Sequence, residues 1–399
     1  MRDLQEVAAW MTTRGTGRDE LSPTTLPDPV FVADGRTLVS FSTNNYLALA
    51  TSARLRARAR QALDCYGVGN CESRLLGGNL ELYDRLEARL ADVKRKQSAL
   101  LFATGYLTNL SVLPTLVKTV NLARAYGYTP TVTWKHAFFT DEFNHLSIRE
   151  GIRASGAPSF AFKHLDMNDL EDKLRASTAH VKIIVTDGVF SQHGDIVPLP
   201  DMMALAERYD ATVYIDDAHG TGVLGRTGAG TAEYFSVHDS PRIIHMGTLS
   251  KAYGCIGGFV ATEWPIREIL RIGASGFGFT STLPPDQAAA VIEAIEMVTD
   301  EPERRERLWD NQRYFVERLR AHGIEPSTTA TPIVPVHIGD DEQCVRISLG
   351  LRYAGFHVDP IVFPAIAHGQ SRLRFMMNTH HTRGHIDDVT QALADLMRD

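Results

Sequence analysis

The sequence predicts an α/β protein, with a mostly parallel central sheet covered by helices on both faces and a smaller C-terminal α+β domain. Three observations predict it. Short, near-continuous apolar runs recur at Lys182 to Thr186 (KIIVT), Thr212 to Ile215 (TVYI) and Arg242 to Met246 (RIIHM), and strands apolar on both faces belong in a sheet that helices cover on either side. In 80–96, Leu82, Leu86, Leu90 and Val93 share one helical face, with Glu81 four residues before Arg85 on the exposed side. From about residue 290 the pattern changes to a long charged helix, Glu293 to His322, and then to strand-like pieces around Ile333 to Ile338 and Leu373 to Met377.

In chain order, residues 1–50 read as an arm, polar and punctuated by Pro23, Pro27 and Pro29, that ends in the apolar run Leu38 to Phe41. Residues 51–290 read as the large domain and 291–399 as the small one. A chain of 399 residues is long enough for two packed domains sharing one cleft, because single cores stop growing at about 250 to 300 residues. There are no internal repeats and no low-complexity tracts.

The composition excludes several classes of function. A net charge of −7 without a dense Lys/Arg stripe gives no case for nucleic acid, and the basic run Arg54 to Arg60 reads as a solvated helix face. Met1 to Trp10 lacks the pattern of a secretory signal, and no apolar stretch reaches the roughly 18 residues of a membrane span. The cysteines, Cys65, Cys71, Cys255 and Cys344, form neither a CxxC pair nor a framework, which suits reduced thiols in a cytoplasm and no metal.

The chemistry concentrates at two strand ends. Gly247-Thr248-Leu249-Ser250-Lys251-Ala252-Tyr253-Gly254 sets one lysine just after a buried strand, among small and hydroxyl residues. A lysine that forms a Schiff base needs partial desolvation, so that its amine is neutral, and nearby donors for a phosphorylated aldehyde. Alone, a lysine after a strand is ordinarily a solvated turn. Upstream, TVYI runs into Asp216-Asp217-Ala218-His219-Gly220-Thr221-Gly222. A carboxylate at the carboxyl end of a buried parallel strand lies at the crevice where open α/β sheets bind ligands, placed to pair with a protonated pyridine nitrogen. An isolated DxxH is a capped turn or a metal pair; the combination of both strand-end segments argues against those readings.

These segments and others, in order, resemble the α-oxoamine synthases from about Phe41 to the C-terminus. The matching motifs are Asn44 to Leu49 (NNYLAL), Gly67-Val68-Gly69 through Gly78, Phe102 to Tyr106 (FATGY), Asp141 to His145 (DEFNH), Thr186 to Ser191 (TDGVFS), the two segments above, Thr280 to Pro285 (TSTLPP) and Arg372-Leu373-Arg374. The resemblance implies the fold type I of pyridoxal 5'-phosphate transferases, with Lys251 carrying the cofactor. His145 would stack on its ring, Ser191 and His219 bond its 3-hydroxyl, and Asp216 its nitrogen. Thr104, Gly105 and Tyr106 would cradle the phosphate at a helix start, helped by Thr248 and, from a partner subunit, by Thr280 or Ser281. Arg374, or alternatively Arg372, would fork onto the substrate carboxylate, with Asn44 at the acyl donor and Ser73 also assigned to the substrate.

The activity implied is a decarboxylative Claisen-type condensation of a small α-amino acid with an acyl thioester, on coenzyme A or a carrier protein, giving an α-amino ketone. A cytoplasmic homodimer with sites at the subunit interface is implied too. Two alternatives use the same cofactor: another fold type I reaction, such as transamination or aldol cleavage, and a non-catalytic regulator, which would be expected to lack Lys251, Asp216 or His219. All three are present. The departures from the family pattern are Cys71 and Glu72, expected at the substrate entrance, His193 in place of an aspartate, and an apparent insertion, Asn121 to Phe138. The insertion is expected to shape the acyl-donor entrance, dock a carrier protein or extend a dimer contact.

Overall fold

A computed structural model of the chain describes residues 1–13, 21–26 and 28–398; Pro27 of the arm lies outside the described residues. Its centre is a seven-stranded sheet in the order Ser98–Phe102, Gly258–Thr262, Ile243–Thr248, Ala211–Asp216, Val181–Asp187, His136–Asp141, Ser159–Phe162. The last five strands of that order run parallel, and only Gly258–Thr262 is antiparallel to its neighbours. Side chains alternate between two cores. Ile183, Val185, Tyr214 and Ile244 join one cluster with Val112 and Ile148 from the helices Gly105–Ala125 and Leu146–Ser155. Ile184, Val213 and Ile215 join the other with Met202 and Leu205 from Leu199–Arg208. The sheet is thus buried on both faces, which is why its strands read as unbroken apolar runs.

The expected helix Glu293 to His322 is instead two helices, Pro285–Asp300 and Glu303–Ala321. Pro302 separates them: it has no N–H to continue the ladder and it biases Glu301 before it away from helical geometry, and Glu301 sits at φ −116 and ψ 64. The first of the two packs on the helix Ala53–Tyr66, where Arg54 Nε and Arg58 Nε donate to the two oxygens of Glu293 at 2.8 and 3.0 Å. Two residues of the basic run are therefore paired, although half-exposed, rather than simply solvated.

A second, three-stranded antiparallel sheet in the order Ile333–Gly339, Ser371–Met376, Asp359–Ile361 carries the helices Asp341–Tyr353 and Arg383–Arg398. Residues 30–40 form a hairpin whose Arg36–Ser40 strand takes Phe356–His357 in parallel. None of the helices among the described residues is long and apolar enough to cross a membrane.

The apparent insertion divides between three elements. Asn121 to Ala125 extend the Gly105–Ala125 helix, 126–135 form a loop, and His136 to Phe138 begin a core strand. The loop leaves Tyr126, Tyr128 and Trp134 exposed while Phe138 is buried. A helix of 21 residues is about 30 Å long, so the loop lies at the far end of the sheet from that helix's N-terminus.

Candidate active site

The carboxyl ends of the parallel strands bring the site together. Asp187 and Asp216 end neighbouring strands and stand directly opposite in register. Two carboxylates this close disfavour each other's charge, and Asp187, fully enclosed and beside Asp216, is pushed well above the usual carboxylate range by burial and by that charge. One Asp187 oxygen accepts from the backbone N–H of His145 at 2.7 Å. Asp216 is held by donors: Asn109 Nδ2 at 2.7 Å to one oxygen and the Ala218 N–H at 3.1 Å to the other.

Adjacent Asp217 faces the opposite way and is saturated. Lys94 Nζ reaches it at 2.7 Å in a fully buried pair, and the Thr231 hydroxyl donates at 2.6 Å. Of the two aspartates, Asp216 is the one turned to the crevice, and Asp217 ties the loop behind it.

Lys251 follows the next strand. Its Nζ takes no hydrogen bond or ion pair from the described residues, and burial brings its pKa down to about 8, with Asp216 and Asp187 opposing and Arg374 assisting. A lysine so placed is a neutral nucleophile near neutral pH. It lines a cavity of about 430 Å³ with Ser42, Thr43, Asn44, His357 and Asp359.

The histidines are set by different means. His145 caps the Leu146–Ser155 helix, with its Nδ1 2.8 Å from the Ser147 hydroxyl, and its ring lies edge-on to Tyr106. Burial holds its pKa below the usual value, while Asp216 opposes that shift. His219 is buried, and burial, Lys251 and Arg374 hold it well below the usual histidine range. Its Nδ1 lies 2.7 Å from the Tyr46 hydroxyl. That hydroxyl has no other acceptor among the described residues, so Tyr46 donates to Nδ1 and Nε2 keeps the proton.

The phosphate residues meet at a helix start. Thr104 caps the Gly105–Ala125 helix by accepting from Leu107 N–H at 3.1 Å, and the N–H groups of Gly105 and Tyr106 take no partner from the described residues. A Cβ on Gly105 would stand 3.1 Å from Thr248 Oγ1, so a larger residue would push that hydroxyl back by a few tenths of an ångström. Thr248 in turn shares a 2.8 Å hydrogen bond with Ser250.

Among the substrate residues the structure separates Arg374 from Arg372. Arg374 lies where its charge acts on Lys251, His219 and Tyr46, and its Nη1 donates to the Ser191 carbonyl at 3.3 Å. Arg372 lies instead beside His193 and Asp195. Ser191 is half-buried with its hydroxyl unbonded among the described residues. Asn44 lines the Lys251 cavity, with a buried Oδ1 that has no partner there.

Ser73 does not line that cavity; its hydroxyl donates to the Gly278 carbonyl at 2.7 Å. Cys71 and Glu72 do not line it either. Thr280 and Ser281 are exposed in the next loop beside Phe279, which is 85% exposed. His193 stacks on Phe143 with centroids 4.7 Å apart, so its ring serves the turn after Ser191.

Three contributors carried no role in the sequence: Asn109, Tyr46 and Asp187. Tyr46 and Asp187 lie inside segments that were recognised. Asn109 is one turn past the helix start, and its only signal is a polar residue inside an otherwise apolar helical face.

These residues fit pyridoxal phosphate. An amine of lowered pKa without a partner among the described residues, a buried carboxylate, the ring of His145 and a helix start closed on Thr248 share one crevice. The family described as aminotransferase class I and II matches residues 36–393. The 8-amino-7-oxononanoate synthase of Symbiobacterium thermophilum is 38% identical over 93% of this chain and 91% of its own length. That of Alkaliphilus oremlandii is 38% identical over 90% and 88%. The solved serine palmitoyltransferase of Sphingomonas wittichii superposes with a TM-score of 0.88 at 28% identity, over 99% of this chain and 96% of that one. The chain therefore belongs to the aminotransferase class I and II family and, within it, to the α-oxoamine synthases, pyridoxal-phosphate-dependent C-acyltransferases that condense an amino acid with an acyl thioester.

Proposed function

We propose that the crevice around Lys251 is where a small α-amino acid and an acyl thioester are joined with loss of carbon dioxide, and that the residues take the following parts. When bound, pyridoxal phosphate supplies an electron sink for the negative charge that develops at the substrate α-carbon. Lys251 would hold the cofactor, and its Nζ would take the α-proton of the bound amino acid; an amine with a pKa of about 8 is near the optimum for a base at neutral pH. Asp216 would keep a cationic ring nitrogen charged, and Asn109 keeps Asp216 aimed. His145 would pack on the ring. His219, from Nε2, and Ser191, from its hydroxyl, would donate to the ring oxygen.

Thr104, Gly105, Tyr106 and Thr248 hold the phosphate through N–H and hydroxyl donors, and Arg374 forks onto the substrate carboxylate. Thr280 and Ser281 act across the interface of a homodimer, for which the exposed Phe279 loop is the supporting feature. The cytoplasm is the proposed compartment, supported by four free cysteines.

The observation that supports this best is that Lys251 directly follows the strand paired with the one that Asp216 ends, where the Asp216 charge reaches the lysine. Borohydride reduction of the holoenzyme followed by peptide mapping tests it, with the adduct expected on Lys251. Thiol release from acyl thioesters should then require both an added amino acid and Lys251. An adduct on another lysine, or thiol release by Lys251→Ala equal to that of the wild type, refutes the assignment.

A further inference from the structure

Asp359 and Arg374 are directly opposed across the antiparallel pair of strands Asp359–Ile361 and Ser371–Met376. The guanidinium of Arg374 is loosely held. Its Nη1 is 3.3 Å from the Ser191 carbonyl, its Nη2 is 3.8 Å from Asp359 Oδ2, and its buried Nε has no partner among the described residues. The Asp359 carboxylate is no better satisfied. Its near partners are the Arg374 cation at 3.8 Å and the imidazole of His357, whose Nε2 is at 3.5 Å and whose pKa burial holds below the usual value, both beyond good hydrogen-bond length. Only its backbone N–H is well bonded, to Ser42 Oγ at 2.7 Å.

Asp359, whose side chain is 36% exposed, also lines the Lys251 cavity, and there Asn44 Oδ1 is a buried acceptor without a donor among the described residues. The cavity therefore sets underused acceptors beside an underused cation. Its complement is a ligand with a carboxylate and, one or two bonds away, a hydrogen-bond donor.

We propose that Asp359 is a specificity-determining residue that favours an α-amino acid bearing a side-chain hydroxyl over glycine and alanine. The inference rests on the reading of Arg374 as the carboxylate anchor. A carboxylate forked on Arg374 places the β-position of the amino acid beside Asp359, and a hydroxyl there donates to an ionised acceptor, a bond roughly twice as strong as its neutral counterpart. An amino acid without the donor meets only the unfavourable side of Asp359: a negative charge that already offsets Arg374 and repels the incoming carboxylate.

Titration calorimetry of the holoenzyme with serine, alanine and glycine, with no thioester present, tests the proposal. Serine is expected to bind about tenfold more tightly than alanine, equivalent to about 1.4 kcal/mol. Asp359→Ala should bring that ratio close to one and tighten alanine binding. Asp359→Asn keeps an acceptor oxygen and removes the charge, so it should keep the preference while tightening both. A wild-type ratio near one, or a ratio in Asp359→Ala equal to that of the wild type, overturns the proposal. Arg374→Ala serves as the control for the anchor. If it weakens all three amino acids, the anchor stands and a failure at Asp359 is its own; if it binds them as the wild type does, the anchor reading has failed.

Discussion

Asn109 Nδ2 donates to Asp216 Oδ2 at 2.7 Å, while its own Oδ1 accepts from the Tyr214 hydroxyl at 2.7 Å. The carboxylate at the end of one strand is thus aimed by a helix packed over the sheet, and the same amide satisfies a buried phenol. Asn109→Ala removes a charge-assisted bond and strands the Tyr214 hydroxyl. It should cost about 2 kcal/mol of stability and speed cofactor loss, read by urea denaturation and by visible absorbance after dialysis. An unchanged midpoint with unchanged retention would mean that Asp216 is oriented by other groups.

Asp216→Asn keeps the shape of the side chain and removes its charge. The variant is expected to fold, to bind pyridoxal phosphate weakly and to lose nearly all turnover. Circular dichroism, cofactor titration and thiol release measure the three effects separately, and retained turnover would refute the role given to Asp216.

Burial brings the Lys251 amine down to about 8 in the folded chain, against an ordinary lysine value of 10.5. Between those values the unfolded chain holds the proton that the folded chain has released, so stability of the cofactor-free protein should rise with pH from about 8 to 10.5. Melting curves of the cofactor-free protein across that window should slope upward, and Lys251→Met should remove that part of the slope. The rate of cofactor uptake should likewise rise through pH 8 as the amine becomes neutral.

His164 stands between two carboxylates, with Nδ1 3.0 Å from Asp141 Oδ1 and Nε2 3.4 Å from Asp195 Oδ2. Burial opposes its charge, yet the two aspartates raise it to about 9. The raised value places the stabilisation below pH 6.5, in full, and removes it as pH climbs through 9. At pH 6.5 it is worth up to about 3 kcal/mol. His164→Gln should therefore melt well below the wild type at pH 6 and much closer to it at pH 10. A gap that is constant with pH would show packing, rather than charge, to be what His164 provides.

Three of the seven central strands were legible because a sheet covered on both faces demands unbroken apolar runs, and KIIVT, TVYI and RIIHM supply them. Lys251 and Asp216 were legible because each directly follows such a run. The break at Pro302 was in plain view, but the charged pattern on either side of it hid the change of direction. Asn109 was not legible, because nothing local says that its amide meets a carboxylate 107 residues away. Asp359 was hidden in the same way, since its meaning comes from the strand pairing that sets it against Arg374. The far position of the 126–135 loop follows from helix length, which residue patterning leaves open.

The Gly105–Ala125 helix works as a ruler for the cofactor. Its cap, Thr104, belongs to the phosphate end, and Asn109, about 7 Å along the axis, indexes the ring end through Asp216. One residue added between them would swing Asn109 away by about 100°, so natural variants should keep that spacing invariant. At the opposite tip, past Ala125, length is unconstrained by the chemistry, and this is the place where the enzyme can be extended or fused without disturbing its cofactor.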